Sequence, residues 1–132
     1  MIVVDASATV ELLTGTGPTA ERVRARLVGE DVYAPAHLDH EASRAIVRMM
    51  QRGHLTEADA GAAIADLDAL EVQRIPIPGL LLQAWELRDN TYVGDALYIA
   101  LAEILMCPLL TTDGKMAGVP GIQCEVEHVP KV

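Results

Sequence analysis

Four carboxylates stand out by where they fall in the chain: Asp5, Glu41, Asp95 and Asp113. Asp5 and Asp113 each close a short apolar run, Ile2-Val3-Val4 and Cys107-Pro108-Leu109-Leu110-Thr111. Asp95 opens Ala96-Leu97-Tyr98-Ile99-Ala100-Leu101-Ala102, a stretch apolar all round and so a buried helix. Glu41 falls on the edge of the helical stripe formed by Leu38, Ala42, Ala45, Ile46 and Met49. Each acid has an ordinary structural role open to it. Asp5 and Asp95 suit helix caps, Asp113 before Gly114 suits a turn, and Glu41 can pair with Arg44 at i,i+3. Converged in one crevice, they would do different chemistry. Neighbouring ionised carboxylates raise one another's pKa, and a hard divalent cation relieves the repulsion. Acidic clusters of this kind serve two-metal phosphodiester cleavage, one metal activating water and the other steadying the leaving oxygen.

The elements around these acids decide whether they can meet. Ile2-Val3-Val4 shows no polar alternation, which fits a strand buried on both faces in the middle of a parallel sheet. Ligands of open parallel sheets bind outside the carboxyl ends of the strands, where Asp5 would stand. Helices are expected over 6–13 and over 19–27, the latter capped by Thr19, with a short strand over 31–33 between that helix and the next. Pro35 is expected at the first position of a helix over 36–52, and a helix over 56–70 completes an αα-hairpin. Further on come a strand over 72–75, a helix over 80–88 with Trp85 on its apolar side, and a turn over 90–94. A helix over 95–106, a strand over 108–111, a turn over 112–115 and a strand over 123–126 finish the chain. Strands alternating with helices predict an α/β fold with a central, mostly parallel sheet. With no repeat, low-complexity segment or linker, residues 1–132 are expected to form one domain.

Composition narrows the partners. The chain carries ten basic and nineteen acidic residues, a net charge of −9, so nucleic acid held by basic surface alone is the wrong expectation. Any nucleic-acid chemistry needs divalent cations or a local basic patch, and the charge equally suits a basic protein partner. Aromatic residues make up 3% of the chain, so the core must be aliphatic and base stacking is scarcely available. Recognition of RNA shape, or of a structured loop, is the corresponding expectation. No stretch is apolar for long enough to span a membrane and no leader pattern precedes Asp5, which predicts a cytoplasmic protein. Cys107 and Cys124 read as two thiols in a reducing compartment.

Other chemistries are weaker. His37, His40 and Glu41 lack the further ligands of a catalytic zinc site. Ser7 has no nucleophile-elbow context, and Gly15-Thr16-Gly17 lacks the length and lysine of a phosphate-binding loop. A phosphoryl-accepting receiver would need paired acids after its first strand, where Asp5 stands alone.

Taken in order, Ile2-Val3-Val4-Asp5-Ala6-Ser7, Tyr33-Ala34-Pro35 leading to Glu41, Asp95 to Glu103, and Leu109-Leu110-Thr111-Thr112-Asp113 resemble the PIN-domain family, and within it the VapC-type ribonuclease toxins. The resemblance implies a three-layer α/β/α fold over 1–132 and a Mg²⁺- or Mn²⁺-dependent endoribonuclease acting on RNA. It implies Asp5 and Asp95 as principal metal ligands, with Asp113 and Glu41 completing the site directly or through water. Ser7 and Thr111 match positions whose hydroxyls hydrogen-bond within the site. It further implies a homodimer silenced by a VapB-type antitoxin that presents a basic side chain to the acids, with Met49 and Met50 lining a docking groove. The competing expectation is a non-catalytic PIN-like module whose acidic pocket receives a basic peptide.

Overall fold

A computed structural model describes all of residues 1–132. Ile2-Val3-Val4 forms the strand β1 (Ile2–Val4), and its three consecutive side chains are all buried. Successive strand residues point to opposite faces, so both faces of β1 are covered and the fold has three layers. The sheet is five-stranded and wholly parallel in the order β3-β2-β1-β4-β5, with β2 at Val32–Pro35, β3 at Gln73–Ile75, β4 at Leu109–Thr111 and β5 at Val126–His128. The helices are α1 (Ala6–Thr14), α2 (Pro18–Leu27), α3 (Leu38–Gln51), α4 (Glu57–Asp68), α5 (Leu81–Trp85), α6 (Val93–Leu105) and α7 (Gly114–Ala117). Helix α6 packs across β1, β2 and β4 with α5 beside it, while α1 packs against α2, α3 and α4. The main core is aliphatic, with Tyr98 the only aromatic side chain fully inside it. No helix is long and apolar enough to cross a membrane.

Several expectations shift for local reasons. Pro35 ends β2 instead of opening the next helix. Ala36 donates to Ile75, so by alternation the proline nitrogen faces the β1 side, where the β1 ladder has already ended and no donor is needed. Thr19 lies inside α2, whose cap is Gly17 with Pro18 at the first helical position. Its hydroxyl instead donates to the Pro130 carbonyl and accepts from the Val132 amide. Helix α6 begins at Val93, earlier than expected, because Tyr92 in extended conformation is its cap. Helix α5 is short, and Trp85 is 59% exposed, its ring stacked 4.3 Å from the Arg88 guanidinium. The last strand pairs Val126 with Leu109, and so begins three residues later than expected.

Arg74 on β3 ties the sheet edge to the helical hairpin. Its guanidinium donates to Asp39 and to the carbonyls of Leu67 in α4 and of Leu70 and Val72 in the segment that follows it.

Candidate active site

Strands β1 and β4 are neighbours, Val3 opposite Leu109 and Val4 opposite Leu110. The strand order reverses between them, β2 and β3 extending the sheet one way and β5 the other. This is a topological switch point, where the connections leave to opposite sides and open a crevice at the strands' carboxyl ends. Asp5 follows β1 and Thr111 ends β4 at that crevice.

Asp5 is only 3% exposed. Its Oδ1 accepts from the Ala8 amide at 2.9 Å and from Ser7 Oγ at 2.7 Å, and its Oδ2 accepts from Thr111 Oγ1 at 2.5 Å. Asp5 is thus both the cap of α1 and a carboxylate of the crevice. The two hydroxyls in turn accept from the loop after β4, Ser7 from the Thr112 amide at 3.0 Å and Thr111 from the Asp113 amide at 2.9 Å. With both hydroxyl protons directed at Asp5, the 3.1 Å approach of Ser7 to Thr111 is a contact between acceptors. Burial pushes the Asp5 carboxyl above its ordinary pKa, the Thr111, Ala8 and Ser7 hydrogen bonds pull it back, and the nearby charge of Asp113 pushes it up again.

Asp113 caps α7, accepting from the Lys115 amide at 3.0 Å. Asp95 lies in the first turn of α6, the third helical residue rather than the cap, where the helix dipole favours negative charge. Its pKa is nevertheless pushed up to about 6, first by burial, against a Tyr92 hydrogen bond that lowers it, and then by the charges of Asp5, Asp113 and Glu41. The negative charges of Asp5, Asp113 and Glu41 are thus near enough to Asp95 to disfavour its ionisation.

Glu41 is held from α6. Tyr98 Oη donates to its Oε1 at 2.7 Å, Tyr92 Oη lies 3.5 Å from Oε2, and His37 Nε2 stands 3.6 Å from Oε1. The pairing with Arg44 expected from helix spacing is not made. His37 Nε2 lies 2.9 Å from the Gly94 carbonyl, which assigns its proton to that nitrogen, and the ring rests 4.5 Å from the Tyr98 ring. Its buried Nδ1 has no partner. His40 is exposed on the outer side of α3, so the two histidines do not converge on an ion. A Cβ at Gly94 would stand 2.7 Å from Glu41 Oε2 and run into the Tyr92 ring, so both side chains would have to move to admit one.

The sequence reading named the four acids, and Ser7 and Thr111, which do hydrogen-bond Asp5, but did not name Tyr98, Tyr92, His37 or Gly94 as part of the surroundings of Glu41. The available signal was periodicity. Tyr98 follows Asp95 at i,i+3 and Glu41 follows His37 at i,i+4, so each pair shares a helical face. No three His, Cys, Asp or Glu side chains stand close enough to form a ready-made metal cage. Met49 lines the cleft between α1 and α3, while Met50 packs with Ile46 in the small α3–α4 core and is no part of that groove.

Comparison with known proteins agrees with this architecture. The family model of the PIN domain matches residues 2–122. Ribonuclease VapC3 of Mycobacterium tuberculosis is 45% identical over 116 residues, 88% of this chain and 85% of that protein. Ribonuclease VapC12 of the same organism is 40% identical over 129 residues, 98% of this chain and 99% of that one. Among solved structures, Mycobacterium tuberculosis VapC20, a Sarcin-Ricin loop cleaving toxin, superposes with a TM-score of 0.68 at 19% identity over 93% of this chain and 97% of that chain. FitAcB from Neisseria gonorrhoeae gives a TM-score of 0.63 at 20% identity over 96% of each chain. At these identities the two structures speak for the fold, and the family match and the sequence relatives for the kinship. This chain belongs to the PIN-domain family, as a member of the VapC type.

Proposed function

We propose that this protein is an endoribonuclease that hydrolyses RNA phosphodiester bonds with Mg²⁺ or Mn²⁺, the toxin of a VapBC pair. What supports the reading is the Asp5 carboxylate at the switch-point crevice, with the charges of Asp5, Asp113 and Glu41 all raising the Asp95 pKa, in a chain whose relatives are named ribonucleases. The donor set fits a hard cation, being carboxylate oxygen throughout. A ready-made cage of three acids is not required, because Mg²⁺ takes one or two carboxylates and completes its shell with water and substrate phosphate. Asp5 and Asp95 would be the principal holders, with Asp113 and Glu41 completing the site directly or through water. A cation bound there supplies Lewis acidity and activates water for phosphodiester hydrolysis.

The chain's own residues do the positioning. A carboxylate offers about four lone-pair sites. Asp5 uses three of them on Ser7, Ala8 and Thr111, which fixes its orientation and leaves acceptor capacity on Oδ2. Tyr98 holds Glu41 at the rim. The same acidic crevice suits a basic side chain of a VapB-type antitoxin, in keeping with the −9 charge. A homodimer is supported by the apolar surface that Leu81, Leu82 and Trp85 of α5 and Ile104 of α6 leave exposed.

The test is cleavage of RNA by purified wild type and by Asp5→Asn and Asp95→Asn, each with Mg²⁺, Mn²⁺ or EDTA. Metal-dependent cleavage by wild type alone is expected. Cleavage retained in both variants, or a folded wild type that cuts nothing while binding a basic peptide, would replace the nuclease with a binding module.

A further inference from the structure

Two clefts flank Ala6, the residue after Asp5, and the basic residues of α3 line both. In the first, Arg44 and Arg48 stand beside Glu41 and Tyr92. In the second, of about 420 Å³, Arg48, Arg52, His54 and Lys131 surround Ser7 and the outer side of α1. Arg48 and Ala6 belong to both, so the clefts form one path past the acids. Four of the chain's ten lysines and arginines are gathered here.

The pattern in the sequence is simple. His40, Arg44, Arg48 and Arg52 recur every fourth residue, which places them in one row on α3 at about 6 Å per step. Arg44, Arg48 and Arg52 are exposed, and none of them makes an ion pair. Elsewhere Arg26 pairs with Glu30 and Glu127 and Arg74 with Asp39, while Arg22, Arg24 and Arg88 make no ion pair but form no such row beside the site. In a protein with nearly two acids for every base, a row of unpaired guanidinium groups beside the acidic crevice is a built contrast. Glu11 is the one carboxylate on the wall of the larger cleft.

We propose that Arg44, Arg48 and Arg52 form a track for the phosphates of an RNA strand, guiding the backbone past Glu41 and Asp5. The proposal rests on the ribonuclease reading and adds the residues that hold the substrate. Guanidinium groups bind phosphate in bidentate fashion, and a regular helical row matches a regularly spaced polyanion. Stacking cannot supply this affinity, since aromatic residues are 3% of the chain and only Tyr92 lines either cleft. The acids repel RNA at long range, and the track answers the repulsion locally. Backbone contacts of this kind position a strand without reading its sequence.

The test is equilibrium binding of a fluorescent, mixed-sequence single-stranded RNA to the Asp95→Asn protein, which bears the track but is expected not to cut, over a range of salt. Adding Arg44→Ala and Arg48→Ala should weaken binding by about tenfold per lost contact. It should also flatten the slope of log affinity against log salt by about 1.4, roughly 0.7 for each lost phosphate contact. Arg22→Ala with Arg24→Ala removes the same charge from α2, outside both clefts, and should leave the slope alone. All of these side chains are exposed, and matching thermal melts confirm folding. In the otherwise wild-type enzyme, the Arg44/Arg48 variant should raise KM more than it lowers kcat. An unchanged slope with the α3 variant, or an equal change with the α2 variant, overturns the track. So does a variant that keeps its RNA affinity but loses an acidic protein partner. A wild type that binds RNA through the track yet never cuts it would instead overturn the ribonuclease reading alone.

Discussion

The Tyr98 hydroxyl donates to Glu41 at 2.7 Å, joining the buried helix of the core to an acid on another helix 57 residues earlier. Tyr98 is 1% exposed and lies one turn after Asp95, so α6 presents one acid of the site and anchors a second. Burial first, and then the Glu41 charge, hold the phenol above its ordinary pKa, so it stays a donor throughout the working range.

Tyr98→Phe keeps the ring in the core and removes only that donor. Cleavage is expected to fall by about tenfold, in line with the loss of a partner that orients a metal-site carboxylate. Stability should fall by about 1 kcal/mol. Steady-state rates and urea unfolding read the two effects separately, and an unaltered rate would show that Glu41 needs no anchor.

Thr111→Val replaces the hydroxyl by a methyl of similar size and leaves Asp5 Oδ2 without its donor. Because that hydrogen bond lowers the Asp5 pKa, its loss raises it further and favours the proton over a cation. Mn²⁺ affinity should drop by about tenfold or more, with a stability cost of about 1–2 kcal/mol, and Thr111→Ser should restore both. Calorimetric titration with Mn²⁺ checks the first and thermal melting the second.

Asp95 gives the site a pH signature. Its pKa stands at about 6 in the folded chain against the ordinary 3.8, so the folded state binds this proton more tightly than the unfolded state. Its contribution to stability is full below about pH 4 and is lost as pH rises through about 6. In EDTA, Asp95→Asn should therefore stabilise the protein by about 1 kcal/mol at pH 7, a figure discounted for the side chain's partial exposure, and have little effect near pH 4. Chemical unfolding at the two pH values reads the difference. A variant no more stable at pH 7 would show that solvent screens Asp95 fully.

Met106 ends α6 in the left-handed region, at φ 51°, with its side chain 90% exposed. A side chain there strains the backbone and packs against little, so Met106→Gly should stabilise the fold by about 1 kcal/mol. A thermal melt decides it, and a loss of stability would mean that the methionine contributes contacts worth more than the strain.

The central strand, the buried helix and the four acids were legible because each is local. An apolar run that ends in Asp5, and a helix apolar on every face behind Asp95, carry their meaning within a few residues. What escaped the sequence depends on the third dimension. Nothing near Tyr98 in the chain says that its hydroxyl meets Glu41, and Thr91-Tyr92-Val93-Gly94 read as a turn although Gly94 lets α6 approach Glu41. Pro35 and Thr19 were misplaced because a favoured local role, the start of a helix, gave way to a tertiary one at the carboxyl end of β2 and at the chain's end. The α3 arginines were visible as letters but not as a track, since only the fold sets them along clefts that run past Ala6.

The most direct measurement is titration of Mn²⁺ into the wild type and into Asp5→Asn, Glu41→Gln, Asp95→Asn and Asp113→Asn, followed by electron paramagnetic resonance. One acidic site built by all four residues should bind Mn²⁺ in the wild type and lose affinity in every variant, most in Asp5→Asn and Asp95→Asn. Mn²⁺ binding that is unchanged in those two variants, with both folded, would contradict the site.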